Sequence, residues 1–371
     1  MRLFKIFVEE KTVATQKNYI EYVDGLRGIA VLMVVIIHFS QTLGNGSING
    51  FIIPYFSRII DSFARGVQLF FIISSYTLFN SIVKSKGDNI YKKFYIRRAF
   101  RILPLYFLFV FLFYFFGKFN IKQLFTSLTF LFGFLRFENG YEIVPLSWSL
   151  FIEETFYILL PLLYFFLSKS SNKIKTIIYC FLFSLLLSIV WEKFAFYFKI
   201  PDNNAFIFLF PLNHYFYFFI GIFLFYFLPL IRGGGDKVKP IYINLLLLIS
   251  LPSILFGHRF ALLALTLIFI NASIENTILN KFCRTKIIKS FGKCCYSIYL
   301  FHFPLIKLID PLIIKTTEFF HISGGNGNCE IRLLIFTPIF LLITLVIGKL
   351  FFNYIELPAV EFSKKVISKF Y

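Results

Sequence analysis

Charge is scarce in this 371-residue chain: 15% of its residues are Asp, Glu, Lys or Arg, where a soluble domain carries about 25%. Acidic residues are the rarer sign, 19 against 38 basic, for a formal net charge of +19. Cysteine is sparse as well. The five cysteines, Cys180, Cys283, Cys294, Cys295 and Cys329, have neither disulfide-framework nor zinc-site spacing. Residues 1–22 are polar and lack an apolar run ending in a small-residue cleavage site. No cleaved signal peptide is therefore expected, and the first apolar run serves as a retained anchor. The two halves show no clear repeat, which disfavours an inverted-repeat transporter. Nucleic-acid binding is the usual reading of a basic chain, but here the basic residues lie in short stretches between apolar runs, as cytoplasmic loops do.

What the chain has is apolar surface. It is 58% hydrophobic, with 56 Phe and 21 Tyr, and its mean hydropathy is +0.76. Apolar segments run roughly over 28–43, 66–83, 102–116, 124–135, 148–167, 174–191, 205–230, 240–256, 260–274, 296–314 and 333–354. Loop charge orders them. Arg2, Lys5, Lys11 and Lys17 place the N-terminus inside, and the stretch 84–101, the most basic in the chain, then also falls inside. If 124–135 dips in and returns, Lys169–Lys175, the stretches with Lys237 and with Lys281–Lys293, and the tail all lie inside. The near-neutral loop 322–329 then lies outside. These readings give an all-α polytopic membrane bundle of about ten transmembrane helices, with a re-entrant or interfacial segment near 124–135. Both termini are expected to face the cytoplasm. Residues 1–22 form a cytoplasmic N-terminal segment, 23–360 the membrane domain and 361–371 a cytoplasmic tail.

Ionisable groups inside such spans are costly and usually serve a purpose. In DGLRGIAVLMVVIIH (24–38) no charge lies between Arg27 and His38. Eleven residues come within about 20° of three helical turns, so the two share a face roughly 16 Å apart along the axis. Three further stretches carry chemistry: YIRRAFRILPLY (95–106), SWSLFIEETFY (147–157) and GKCCYSIYLFHFP (292–304). His38 can act as a base or a nucleophile near neutral pH. Arg97, Arg98 and Arg101 can fork onto phosphate oxygens, or serve as a topology signal at lipid headgroups. Glu153 and Glu154 point about 100° apart, so one of them faces a site. Asp24 divides between helix capping and site membership.

Together the four stretches resemble the acyltransferase-3 family of integral membrane O-acyltransferases. The family's paired Arg and His on the first span are matched by Arg27 and His38, and its R-x-x-R patch by Arg98 and Arg101. Its W-S-L-x-x-E-x-x-F-Y motif is matched by Trp148, Ser149, Leu150, Glu153, Phe156 and Tyr157, and its closing E-x-P by Glu356 and Pro358. The resemblance covers about residues 22–360. Departures are Ser75 for the usual Gly after Ser74, Thr155 for a Gln, and Cys295 for a Ser. With the sequence ending at 371, the extracytoplasmic esterase-like domain that some members carry is not expected.

The resemblance implies transfer of an acyl group, acetyl from cytoplasmic acetyl-CoA, to a hydroxyl of a cell-surface carbohydrate or glycolipid acceptor, with no metal. His38, Glu153 and Arg27 are then the expected catalytic residues. Arg97, Arg98 and Arg101 are expected to bind the acyl-CoA. Asp24, Ser149, Tyr157, Tyr296, Tyr299 and His302 are expected around the substrate cavity. The competing reading is a proton-coupled transporter or flippase using the same buried charges as a relay.

Overall fold

A computed structural model describes residues 21–43, 54–85, 88–135, 142–198, 204–233, 239–319 and 328–371. The expected N-terminal segment with Arg2, Lys5, Lys11 and Lys17, Lys237, and most of the loop 322–329 lie outside the described residues. Among those described there is no strand. The helices are α1 (Glu21–Leu43), α2 (Pro54–Ser62), α3 (Gly66–Lys84), α4 (Ile90–Phe116), α5 (Ile121–Leu128), α6 (Trp148–Lys169), α7 (Lys173–Tyr197) and α8 (Asn204–Leu209). They continue with α9 (Tyr215–Gly233), α10 (Pro240–Ser250), α11 (His258–Ser273), α12 (Ile278–Cys283), α13 (Lys286–Lys293), α14 (Cys295–Phe319), α15 (Asn328–Phe351) and α16 (Leu357–Phe370).

Among the described residues, eight helical stretches are long and apolar enough to cross a membrane, and two shorter apolar ones run over Pro240–Phe256 and His258–Ser273. Together they fall at the positions of the ten expected spans, with eight of them long enough to cross. Large apolar side chains such as Phe116, Phe166, Phe183, Ile249, Leu308 and Leu334 stand exposed on the outer helices. In water such coverage would drive aggregation; against lipid it is the expected surface. The chain is a multi-pass membrane protein.

α1 is the hub. Its apolar window is 72% buried, against 17% for α7 at the periphery. It packs against α3, α11, α12, α13, α14 and α15. Glycine permits the closest of these approaches: a Cβ at Gly28 would run into the Ile288 carbonyl, and one at Gly292 into the Asp24 carbonyl. Small residues are how membrane helices come this near.

Three readings of the sequence change. The stretch around Lys281–Lys293 is not a loop but α12 and α13, whose inner faces bury Cys283, Ile288 and Phe291 against the start of α1. Thr277 caps α12 by accepting from the Asn280 N–H at 3.3 Å. Arg97, Arg98 and Arg101 are not in a loop before the third span but on its first turns, since α4 is continuous from Ile90 with Pro104 inside it. The run 205–230 is not one helix. Pro211 starts a short 3-10 turn, and Asn213 Nδ2 and His214 Nε2 lie 2.7 and 2.8 Å from the carbonyl oxygens of Ile207 and Phe208. His214 is thus used to close a helix break. The segment 124–135 is α5 plus a 3-10 turn over Leu131–Gly133. Eight residues rise only about 12 Å, too little to cross. Asn120 and Gln123 close its first turn reciprocally, at 2.9 Å each.

Candidate active site

α1, α3, α4, α6 and α14 enclose a cavity with about 770 Å³ of empty space, its open mouth included. Arg27, Arg98, Arg101 and Glu153 line it, with Ser74, Thr77, Ser149, Tyr157, Cys295, Tyr296 and Tyr299. Phe70, Phe71 and Val67 of α3 give it an apolar side. Three guanidiniums face one carboxylate across a space walled by helices. Such a site suits a ligand carrying several negative charges and an apolar portion.

Arg27 is held from behind. Arg27 Nη1 donates to Asp24 Oδ1 at 3.2 Å, and its Nη2 to Thr77 Oγ1 at 3.3 Å. Glu356 is the strongest electrostatic attraction on Arg101, and Glu154 also acts on Arg98. Glu356 lies in the π-helical turn Phe352–Glu356 just before Pro358 and accepts from the Ser297 hydroxyl. Such turns recur at functional sites.

The hydroxyls on the wall have fixed directions. Tyr157 donates to Glu153 Oε2 at 2.8 Å, so the Ser74 hydroxyl, 2.7 Å away, donates to Tyr157. Tyr299 donates to the Leu146 carbonyl at 2.8 Å, so Ser149 at 2.6 Å donates to Tyr299. Tyr296 donates to the Ile102 carbonyl at 2.8 Å. Glu153 is thereby held as an acceptor, and Ser149 and Tyr299 tie α6 to α14.

Eight of the sequence-derived site residues meet in this cavity: Arg27, Arg98, Arg101, Ser149, Glu153, Tyr157, Tyr296 and Tyr299. Four stand off it. Asp24 sits behind Arg27. Arg97 donates to Ser85 Oγ at 3.1 Å, at the end of α3. His38 and His302 are not on the wall but against each other, with His302 Nε2 3.2 Å from His38 Nδ1. The pair adjoins the cavity through Tyr299, whose ring centroid is 5.8 Å from that of His302. His38 lies 17 residues into α1, about 26 Å along its axis. That places it toward the helix's far end rather than its middle. Ser74, Thr77 and Cys295 line the cavity without having been singled out as site residues. Of these only Ser74 and Cys295 had a signal, as neighbours of or departures from a motif.

A second polar cluster links α7, α9 and α11. Arg259 Nη2 lies 2.7 Å from Glu192 Oε2 and 3.1 Å from Ser188 Oγ, and Tyr217 donates to the His258 carbonyl. Arg259 is therefore an inter-helix tie between α11 and α7. Among the described residues no three His, Cys, Asp or Glu side chains group as a metal site would.

The model of a family described as "Acyltransferase domain" matches residues 20–352. The chain is 23% identical over 351 residues to "Peptidoglycan O-acetyltransferase OatA" of Listeria monocytogenes, an alignment covering 82% of this chain and 52% of the relative. It is 26% identical over 338 residues to "O-acetyltransferase OatA" of Staphylococcus aureus, covering 80% and 52%. It is 28% identical over 200 residues to "Putative peptidoglycan O-acetyltransferase YrhL" of Bacillus subtilis, covering 47% and 29%. The chain thus spans about half the length of these relatives, or less. No solved structure matches it.

Proposed function

The chain belongs to the acyltransferase family whose model covers residues 20–352, and on that premise we propose that it is a membrane O-acyltransferase. It moves an acyl group, acetyl from cytoplasmic acetyl-CoA, onto a hydroxyl of a cell-surface carbohydrate. The relatives' names favour peptidoglycan as that carbohydrate. The observation that carries the reading is the convergence of Arg27, Arg98, Arg101 and Glu153 on one cavity inside the bundle.

The wall fits an acyl-CoA. Arg98 and Arg101 would hold phosphate oxygens, whose planar forks suit them, while Phe70 and Phe71 offer an apolar lining. When bound, the donor supplies an activated thioester carbonyl. Loop charge puts the α1 start, Arg98 and Arg101 on the cytoplasmic side, where CoA is found. The bilayer is an obligate partner, and both described ends of the chain then face the cytoplasm of the bacterial inner membrane. His38 takes the proton of the acceptor hydroxyl as that oxygen attacks. Glu153, already accepting from Tyr157, offers its second oxygen to acceptor hydroxyls. Arg27, fixed by Asp24 and Thr77, stabilises negative charge developing on the carbonyl oxygen.

The test is incorporation of radiolabel from acetyl-CoA into the glycan fraction of membranes with and without the protein. Label appearing only with the protein is expected. Unmodified glycan or precursor crossing the bilayer, with no label fixed, would instead identify a transporter.

A further inference from the structure

The geometry points to His302 as the positioning residue that fixes His38 as a base and stabilises its charged form; this rests on the acyltransferase reading above. His302 Nδ1 lies 2.7 Å from the Tyr299 carbonyl oxygen and 3.2 Å from that of Ile298. Carbonyl oxygens only accept, so this nitrogen carries the proton. In a neutral ring, His302 Nε2 is then an unprotonated acceptor. It faces His38 Nδ1 at 3.2 Å, and His38 Nδ1 is also 2.8 Å from the Val34 carbonyl oxygen. Val34 likewise forces a proton onto His38 Nδ1, which is shared between Val34 and His302. One tautomer satisfies every contact: both rings protonated at Nδ1, with the lone pair of His38 on Nε2.

The remaining packing holds that arrangement. His302 is fully buried, and His38 is partly buried. The rings sit 5.2 Å apart, and Phe303 closes on His38 edge-to-face at 5.8 Å. His302 stands one turn from Tyr299, a cavity residue, so the dyad is tied to the cavity wall by one helix.

The step balances on named atoms. The acceptor O–H bond breaks and its proton goes to His38 Nε2. The freed electron pair forms the new C–O bond, and the donor's C–S bond breaks. The departing thiolate then takes the proton from His38 Nε2. While His38 is charged, its Nδ1–H donates more strongly to His302 Nε2, as the Asp of a hydrolase triad is used, but with a neutral partner. A carboxylate there would cost more to bury; imidazole is a cheaper acceptor in this apolar setting.

The experiment compares His302→Phe, which keeps a flat ring without the acceptor, with His302→Gln, which restores an acceptor oxygen. Thermal melting confirms that both fold. In acetyl transfer, kcat of His302→Phe is expected to fall by about 100-fold or more, as for loss of acid–base support. KM for acetyl-CoA should change less than about 2-fold, and His302→Gln should regain at least tenfold. A loss of less than tenfold in His302→Phe overturns the proposal, as does a His302→Gln variant as slow as the Phe variant. The second measurement needs no substrate. Nitrogen-15 NMR of the labelled wild type, with the five histidines assigned by substitution, should show His38 and His302 both protonated at Nδ1. A His302 protonated at Nε2 overturns the dyad even if acetyl transfer is found. The expected tautomers in a protein without transfer activity would instead sink only the acyltransferase reading.

Discussion

Gly66→Ala should disturb both the fold and the chemistry, because Gly66 is where α3 meets α1 between Arg27 and His38. An ideal Cβ there would lie 2.6 Å from the Ala30 carbonyl oxygen and 3.0 Å from both Met33 Cβ and Val34 Cγ2. Ordinary contact begins near 3.4 Å, so the start of α3 must retreat by 3.4 − 2.6 = 0.8 Å. The obstacle is backbone on the most buried helix and cannot swing aside. Overpacking of this kind costs about 1–3 kcal/mol. A rigid retreat of 0.8 Å would also take the 3.3 Å bond from Arg27 to Thr77 out of reach. Misplacement by about 1 Å can lower turnover on the order of 100-fold. The assay is a thermal melt in detergent beside initial rates of acetyl transfer, with expression level controlled. A Gly66→Ala protein with wild-type melting and wild-type rate would refute the claim that this contact sets the position of Arg27.

Three further outcomes follow from the cavity. Arg101→Lys keeps the charge but loses the planar fork, so KM for acetyl-CoA should rise by roughly tenfold, read from initial-rate kinetics; an unchanged KM would remove Arg101 from donor binding. Tyr157→Phe leaves Glu153 without its 2.8 Å donor, and should destabilise by about 1–3 kcal/mol in a denaturation series, where no loss would mean that Glu153 finds another donor. Cysteine labelling separates two buried thiols: Cys295 lines the cavity, and acetyl-CoA should slow its reaction with a small thiol reagent. Burial pushes the Cys283 thiol up to about 12. At pH 8 its thiolate is therefore only about one part in ten thousand. It should label only on unfolding, and peptide mapping that finds Cys283 modified first in the folded protein would contradict this.

The chemistry of the site was more legible than its layout. Arg27, Arg98, Arg101 and Glu153 could be picked out because charge in an apolar run is costly, and the structure brings them to one cavity. Thr77 gives no such signal, since a hydroxyl can bond back to its own helix, as Thr77 does to the Ile73 carbonyl at 2.9 Å. The meeting of His38 with His302 joins positions 264 residues apart; helical spacing places a residue on a face but does not say which helix that face meets. The same limit hid α12 and α13. Their lysines read as a loop, and their burial against α1 depends on Gly25, Gly28 and Gly292, whose contacts lie on another element. The break before α9 was readable in part: Pro211 marks it, but the side chains that complete it, Asn213 and His214, looked like isolated polar residues in an apolar run.

The most direct test of the account is acetyl transfer by His38→Ala in proteoliposomes, using radiolabelled acetyl-CoA and peptidoglycan fragments. Its melting is measured beside that of the wild type, because the imidazole it removes bonds the Val34 carbonyl and faces His302. The account predicts a loss of transfer of about 100- to 10,000-fold in this folded variant. Transfer within threefold of wild type would contradict it, whatever the other residues of the cavity proved to do.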